Sequence, residues 1–230
     1  MSTVEITWLG HASFSLDTGG STVLVDPFLN DSPVSPVQAD DVAADYILVT
    51  HGHFDHVADV VSIALRTEAT VVANFEISEW LKKQGVAEEK LIAMNLGGGV
   101  DLPFGHVKKT IAHHSSGLPD GTYGGSAAGF VLSLPKLRIY FAGDTALTLD
   151  MKLIGMGGLD LAVLPIGDLF TMGPDDSIEA IKLLNASRVI PCHYNTWPPI
   201  EQDAAAWAER VRLHTAAEPI VLVPGEKYSL

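Results

Sequence analysis

Cysteine is nearly absent from this 230-residue sequence: Cys192 stands alone, so no internal disulfide can form, and the chain fits a reducing cytoplasm. Long apolar runs are missing too. None reaches the roughly 18 residues that a membrane span requires. Residues 1–8 enter an alternating pattern without a basic segment followed by an apolar one, so no signal peptide is readable. Positive charge is scarce. Against 28 Asp and Glu stand 14 Lys and Arg, and the net charge of −14 opposes non-specific binding to nucleic acid, whose phosphates demand cations. Most of the acidic excess reads as a solvated surface. Apolar residues, by contrast, make up 47% of the chain and charged ones 18%, which excludes disorder and fits an α/β globule. The length suits one generous domain or two tightly fused halves.

Short β-rich runs predict strands at 4–8, 13–16, 22–25, 46–50, 70–73, 91–94, 107–112, 130–134, 138–142, 161–165, 188–191 and 220–223. Gly, Asp, Asn or Pro punctuates nearly every one, as turns require. The runs 46–50 and 161–165 are continuously apolar, the pattern of strands covered on both faces. Helical spacing predicts helices over 57–66 and 77–83, the second stopped by Gly85. Ile178, Ile181 and Leu184 mark a third helix, entered through 173–177. Ala204, Trp207 and Val211 mark a fourth, after Pro198 and Pro199, with Trp207 in the core. Helices alternating with strand groups suggest sheets covered by helices. Gly97, Gly98 and Gly99 read as one turn, and 1–230 is expected to be a single domain of two similar halves with its seam near 97–105.

The sharpest feature is His51-x-His53-x-Asp55-His56, directly after the apolar run 46–50. Four such side chains in six residues cannot all be packed in a core, because each would need a polar partner. On a loop at a strand end they can converge on cations, and Gly52 permits the tight course that lets His51 and His53 reach one of them. The bland alternative is a polar surface loop. Imidazole and carboxylate together suit Zn, Mn, Fe or Ni rather than Ca or Mg. Three further candidates follow predicted strands: His113-His114-Ser115-Ser116, Gly143-Asp144-Thr145 and Cys192-His193-Tyr194-Asn195. Strand ends of open α/β sheets are where sites are built.

H-x-H-x-D-H followed in order by a His, an Asp and a His resembles the motif series of the metallo-β-lactamase superfamily. Trp8-Leu9-Gly10-His11-Ala12-Ser13, Asp26-Pro27-Phe28, His114-Ser115-Ser116-Gly117, Gly143-Asp144-Thr145 and His193-Tyr194-Asn195-Thr196 extend the likeness over nearly the whole chain. So do Tyr123-Gly124-Gly125 and Phe170-Thr171-Met172-Gly173-Pro174. They look like the small branch of metal-dependent hydrolases related to L-ascorbate-6-phosphate lactonase. The resemblance implies a four-layer αββα sandwich and a metal-dependent hydrolase with two divalent ions, zinc first, with manganese, nickel or iron also compatible. By the same likeness His51, His53 and His114 would hold one ion, Asp55, His56 and His193 the other, and Asp144 would bridge them. His113 is the rival of His114; the family pattern places the ligand immediately before Ser-Ser.

Two cations about 3.5–4 Å apart supply a water-derived nucleophile near neutral pH and polarise the bond it attacks. Asp55 is the expected catalytic group that orients this nucleophile and passes on its proton. His11 either lines the site and handles protons or makes a structural hydrogen bond. Asp26 is expected to orient a ligand histidine. Asn195 either donates to substrate or caps a turn, Cys192 reads as an inert strand thiol, and His106 and His214 read as surface or strand residues. The electrophile is expected to be a small molecule, with a lactone or ester favoured by the resemblance. Phosphodiester cleavage is the runner-up, and iron-dependent redox chemistry and a non-enzymatic metal-binding role are the other classes. A cytoplasmic protein without membrane or nucleic-acid partner is expected, and the family habit allows homo-oligomers.

Overall fold

Alternation and continuous apolarity map directly onto strands. In the computed structural model, which describes residues 3–230, β1 (Glu5–Trp8) buries every second residue, whereas β11 (Leu161–Pro165) is buried throughout. The chain forms two units. The first runs to Leu96 and adds Ser115–Ala127 and Val223–Leu230; the second comprises Gly97–His114 and Ala128–Leu222.

The first unit holds one sheet. Besides β1 it contains β2 (Phe14–Asp17), β3 (Thr22–Val25), β4 (Tyr46–Leu48), β5 (Thr70–Asn74), β6 (Leu91–Met94) and β14 (Lys227–Ser229), ordered β14-β1-β2-β3-β4-β5-β6. Pairings from β14 to β3 are antiparallel and those from β3 to β6 parallel. The helices are α1 (Phe54–Val57), α2 (Val60–Thr67) and α3 (Phe75–Lys83). α3 starts where the Asn74 side chain accepts a hydrogen bond from Ile77 N at 2.8 Å. It stops at Gly85, whose φ of +99° suits the left-handed turn expected there. Val60, Ile63, Ile77 and Leu81 pack with Ile47, Val49 and Val71 in the core of this unit. Each such side chain contributes roughly 1.5–3 kcal/mol by leaving water.

The second unit repeats that scheme. Its sheet, ordered β13-β12-β11-β10-β9-β8-β7, adds β7 (Gly99–Leu102), β8 (Gly105–Ile111), β9 (Ala128–Ser133), β10 (Arg138–Phe141), β12 (Arg188–Cys192) and β13 (Glu218–Pro219) to β11. Pairings from β7 to β10 are antiparallel and those from β10 to β13 parallel. Its helices are α4 (Asp150–Ile154), α5 (Pro174–Leu184) and α6 (Ala204–His214). Pro174 opens α5, where its missing N–H costs nothing, and Asp203 caps α6 by accepting from Ala206 N at 2.9 Å.

Several expectations are corrected. The helix expected over 57–66 is broken at Asp59, because its carboxylate accepts from the backbone N–H groups of Leu29 (2.6 Å) and Asn30 (3.1 Å). The strand expected at 220–223 is not formed; the parallel partner of β12 is the two-residue β13. Gly99 belongs to β7 rather than to a pure glycine turn. α4, β7 and β14 are additions that the local sequence pattern does not signal. No helix among the described residues is long and apolar enough to cross a membrane.

Candidate metal centre

Asp26 and His51 leave the sheet side by side because β3 and β4 are parallel neighbours. Asp26 N donates to Leu48 O at 3.0 Å, which keeps the two strand exits in register. Immediately afterwards the chain turns into α1, so Asp55 and His56 sit on a helical turn rather than on the loop expected for them. Gly52 has an ordinary φ; a Cβ there would instead approach Leu118 Cδ2 at 3.2 Å and Ser116 Oγ at 3.4 Å. Any larger residue would have to push these side chains back by a few tenths of an ångström, and the Gly52 N–H donates to Ser116 Oγ at 3.0 Å.

The imidazoles of this turn are held from behind. His51 Nδ1 lies 3.0 Å from Thr50 Oγ1, His53 Nε2 3.3 Å from Ser115 Oγ and His56 Nδ1 2.8 Å from Asp26 Oδ2. Thr50 in turn donates both its hydroxyl (2.5 Å, to Oδ2) and its N–H (2.8 Å, to Oδ1) to Asp26. With donors assigned this way, Asp26 accepts from His56 and Thr50 while Thr50 accepts from His51, so one carboxylate sets the tautomer of two imidazoles. The other ring nitrogens face inward: His51 Nε2 and His53 Nδ1 are 3.0 Å apart. Two nitrogens bound to one tetrahedral cation would sit about 3.3 Å apart, so this pair fits a shared ion. Asp26, His51 and His56 offer donor atoms within 4.8 Å of one another, and all are buried.

Asp55 is also buried, and its Oδ2 lies 3.0 Å from His11 Nε2 and 3.8 Å from His56 Nε2. His11 is fully buried at φ +51°, and Asp26 has φ +44°. Left-handed backbone at a residue with a side chain is uncommon and concentrates at functional positions.

In the second unit β10 and β12 flank β11 in parallel, so Asp144 and His193 leave the same sheet end. Asp144 Oδ2 lies 3.0 Å from His193 Nε2 and 3.5 Å from His114 Nε2. One carboxylate oxygen thus faces both imidazoles. His113 points elsewhere: its Nε2 lies 3.3 Å from Asp150 Oδ2 and from Thr148 Oγ1, at the surface. Of the two adjacent histidines, His114 is the one that faces Asp144. Gly167 lets the end of β12 come close, since a Cβ there would collide with the His193 carbonyl oxygen.

Other candidates fall into place. Asn195 Oδ1 accepts from Gln202 N at 2.7 Å and caps a turn. Cys192 is a buried strand thiol. Beside it, burial first, with a smaller electrostatic contribution from the neighbouring Cys192, pushes the Tyr194 phenol up to about 12, so it stays neutral. His106 lies on β8 against Asp101, and His214 ends α6. Ser115 belongs to the Ser-Ser that follows His114 in the motif, but its contact with His53 is not legible there, and Thr50 carries no signal beyond adjoining His51.

Residues 21–194 match the β-lactamase superfamily domain. The chain belongs to that superfamily. It is 46% identical to a metal-dependent hydrolase of Heliobacterium modesticaldum over 99% of this chain and 98% of the relative. It is 48% identical to one of Thermus thermophilus over 97% of each. Among solved structures, a metallo hydrolase of the archaeon Ignicoccus hospitalis, 32% identical, superposes with a TM-score of 0.90 and covers 100% of this chain and 99% of that one. The fold class expected from the motifs, that of the metallo-β-lactamases, therefore stands, and the chain is a metal-dependent hydrolase of that superfamily.

Asp26 gives the first test. Asp26→Asn keeps the size but weakens acceptance from His56 and Thr50 together, and affinity for divalent cations should fall by about 10–100-fold. Competition with a chromophoric chelator measures it; unchanged affinity would remove Asp26 from the centre.

Proposed function

We propose that this chain hydrolyses a small molecule carrying a lactone or ester bond, using two divalent cations held by His51, His53, His114, Asp144, Asp55, His56 and His193. The observation that carries the reading is the matched preparation of donors within each unit. The first presents His51 with His53 and Asp55 with His56, and the second presents Asp144 to both His114 and His193. Nitrogen and carboxylate donors of this kind suit zinc first, with manganese, nickel or iron also compatible.

Cations held there would supply a water-derived nucleophile at neutral pH and polarise the bond it attacks. The chain's own part is positioning and proton handling. Asp26, directly and through Thr50, keeps His56 and His51 in the tautomers that present lone pairs inward, and Ser115 braces His53. Asp55, held against His11, is the carboxylate that orients the nucleophile and receives its proton for transfer to the leaving oxygen.

The net charge of −14 supports a small substrate over a nucleic acid. Exposed Phe54, between His53 and Asp55, packs edge-on to Phe28 and offers an apolar contact beside the ligands. No Lys or Arg lies within the ligand motifs, which supports a neutral lactone or ester over a phosphate-bearing bond.

The test is turnover of a panel of lactone, ester, amide, thioester and phosphodiester substrates by protein reconstituted with zinc or manganese. Lactone or ester cleavage above all others is expected. Cleavage confined to phosphodiesters would replace this reading by the phosphodiesterase one, and inactivity of fully loaded protein on the whole panel would count against it.

A further inference from the structure

We infer that His11 is itself a metal ligand, completing with Asp55 and His56 a site of two imidazoles and one carboxylate; this rests on the two-cation reading above. His11, Asp55 and His56 each offer a donor atom within 4.8 Å of the others. Asp55 Oδ2 sits in the middle, 3.0 Å from His11 and 3.8 Å from His56. Donors about 2.1 Å from one octahedral cation are separated by about 3.0 Å when adjacent and about 4.2 Å when opposite. Both observed separations fall in that range, so the Asp55 carboxylate can share an ion with each imidazole.

The local structure places this imidazole with care. His11 follows β1 in a tight turn closed by Leu9 N to Ser13 O (2.8 Å) and Ser13 N to Gly10 O (2.9 Å). Trp8 Nε1 donates to His11 O at 3.0 Å and pins the residue at φ +51°. Gly10 has φ +91°, and a Cβ there would press on the Val34 backbone at 3.1 Å. A histidine that merely filled space would gain nothing from a backbone state that costs about 1–3 kcal/mol. Edge contacts to Phe28 and His56, both with ring centroids 5.8 Å away, fix the ring plane with Nε2 towards Asp55. His56 spends Nδ1 on Asp26, which leaves Nε2 as its ligand atom.

Two consequences follow for the chemistry. A nitrogen that binds a cation carries no proton, so proton transfer belongs to Asp55 alone. Ligation by His11 also adds a donor to the ion proposed for Asp55 and His56, a set that Mn, Fe, Co or Ni can take as well as zinc.

Cobalt(II) alone, titrated into metal-free protein, tests the assignment through stoichiometry and the count of solvent-exchangeable, hyperfine-shifted imidazole N–H signals in proton NMR. His11→Gln is the decisive variant, because its amide nitrogen can still donate to Asp55; thermal unfolding of the metal-free variant checks its fold. The expected result is two cobalt ions in the parent chain. In His11→Gln one ion should bind at least 10²-fold more weakly, and one shifted signal should vanish when cobalt is forced in. Two tight ions with only one signal fewer than the parent also supports ligation. Two tight ions with the parent's full signal count would make His11 a hydrogen-bond partner only, overturning this inference while sparing the hydrolase. A parent chain that takes up no cobalt overturns both readings.

Discussion

Hydrolysis by the Asp144→Ala variant is expected to fall by at least 10³-fold in kcat/KM, about 4 kcal/mol of transition-state stabilisation. The size follows from how much rests on one oxygen. Asp144 Oδ2 lies within 3.0 Å of His193 Nε2 and 3.5 Å of His114 Nε2, on a side chain that is nearly fully buried. Removing it takes a negative charge from the one carboxylate proposed to serve both ions, so cation affinity and cation spacing are lost together. Asp144→Asn, which keeps the volume, should be almost as damaging, because an amide oxygen carries no charge to offset the cations. The metal-free variants should be about as stable as the parent, since a buried carboxylate without its cation is costly to keep. The stabilisation that zinc or manganese gives the parent should shrink, because binding to the folded state is what raises its stability. Undiminished turnover by Asp144→Ala at saturating metal would remove Asp144 from the reaction.

The contrast between what sequence and structure reveal lies in the range of the interactions. His51, His53, Asp55 and His56 are legible in the sequence because four ligand-type side chains in six residues each demand a polar partner or a cation; the structure buries three of them and supplies those partners from Thr50, His11 and Asp26. The continuous runs behind β4 and β11 are legible because both faces are covered. Elements set by distant partners are not. β14 is three residues long and exists through its pairing with β1 at the other end of the chain, reinforced by Lys227 Nζ to Glu5 Oε1 at 2.8 Å. The break between α1 and α2 depends on Asp59 meeting the backbone of Leu29 and Asn30, which no local pattern encodes. Asp26 reads as an orienting residue from its motif, but its link to His51 runs through Thr50, whose hydroxyl points inward only because β3 and β4 pair in parallel. The sequence leaves His11 open between two roles for the same reason: its partner, Asp55, is 44 positions away.

Trp207→Ala should be the most destabilising single change outside the centre, by about 3–5 kcal/mol. The spacing of Trp207 with Ala204 and Val211 places it in the core, and on α6 all three are buried. Its ring is 1% exposed and among the largest fully buried side chains, so truncation leaves a large void. A polar loss adds to the apolar one. Trp207 Nε1 donates to Ser177 Oγ at 2.8 Å, and that hydroxyl donates to Pro174 O at 2.8 Å, in the first turn of α5. The indole therefore ties α6 to the start of α5, and Ser177, itself fully buried, loses a donor when the ring goes. For a chain of this size each kcal/mol moves the midpoint by roughly 2–4 °C, so thermal unfolding should begin about 6–20 °C earlier. Trp207→Phe separates the two contributions: it restores most of the volume but not the N–H, and should recover more than half of the loss. Because α5 packs beside β11 and α6 beside β13, and β12 between those strands leads into His193, the Ala variant should also lose activity on heating before the parent does. At 25 °C, loaded with metal, it should turn over at close to the parent rate, since α6 carries none of the proposed ligands. A Trp207→Ala midpoint within about 2 °C of the parent would mean that the void collapses, and that the hydrogen bond to Ser177 adds little.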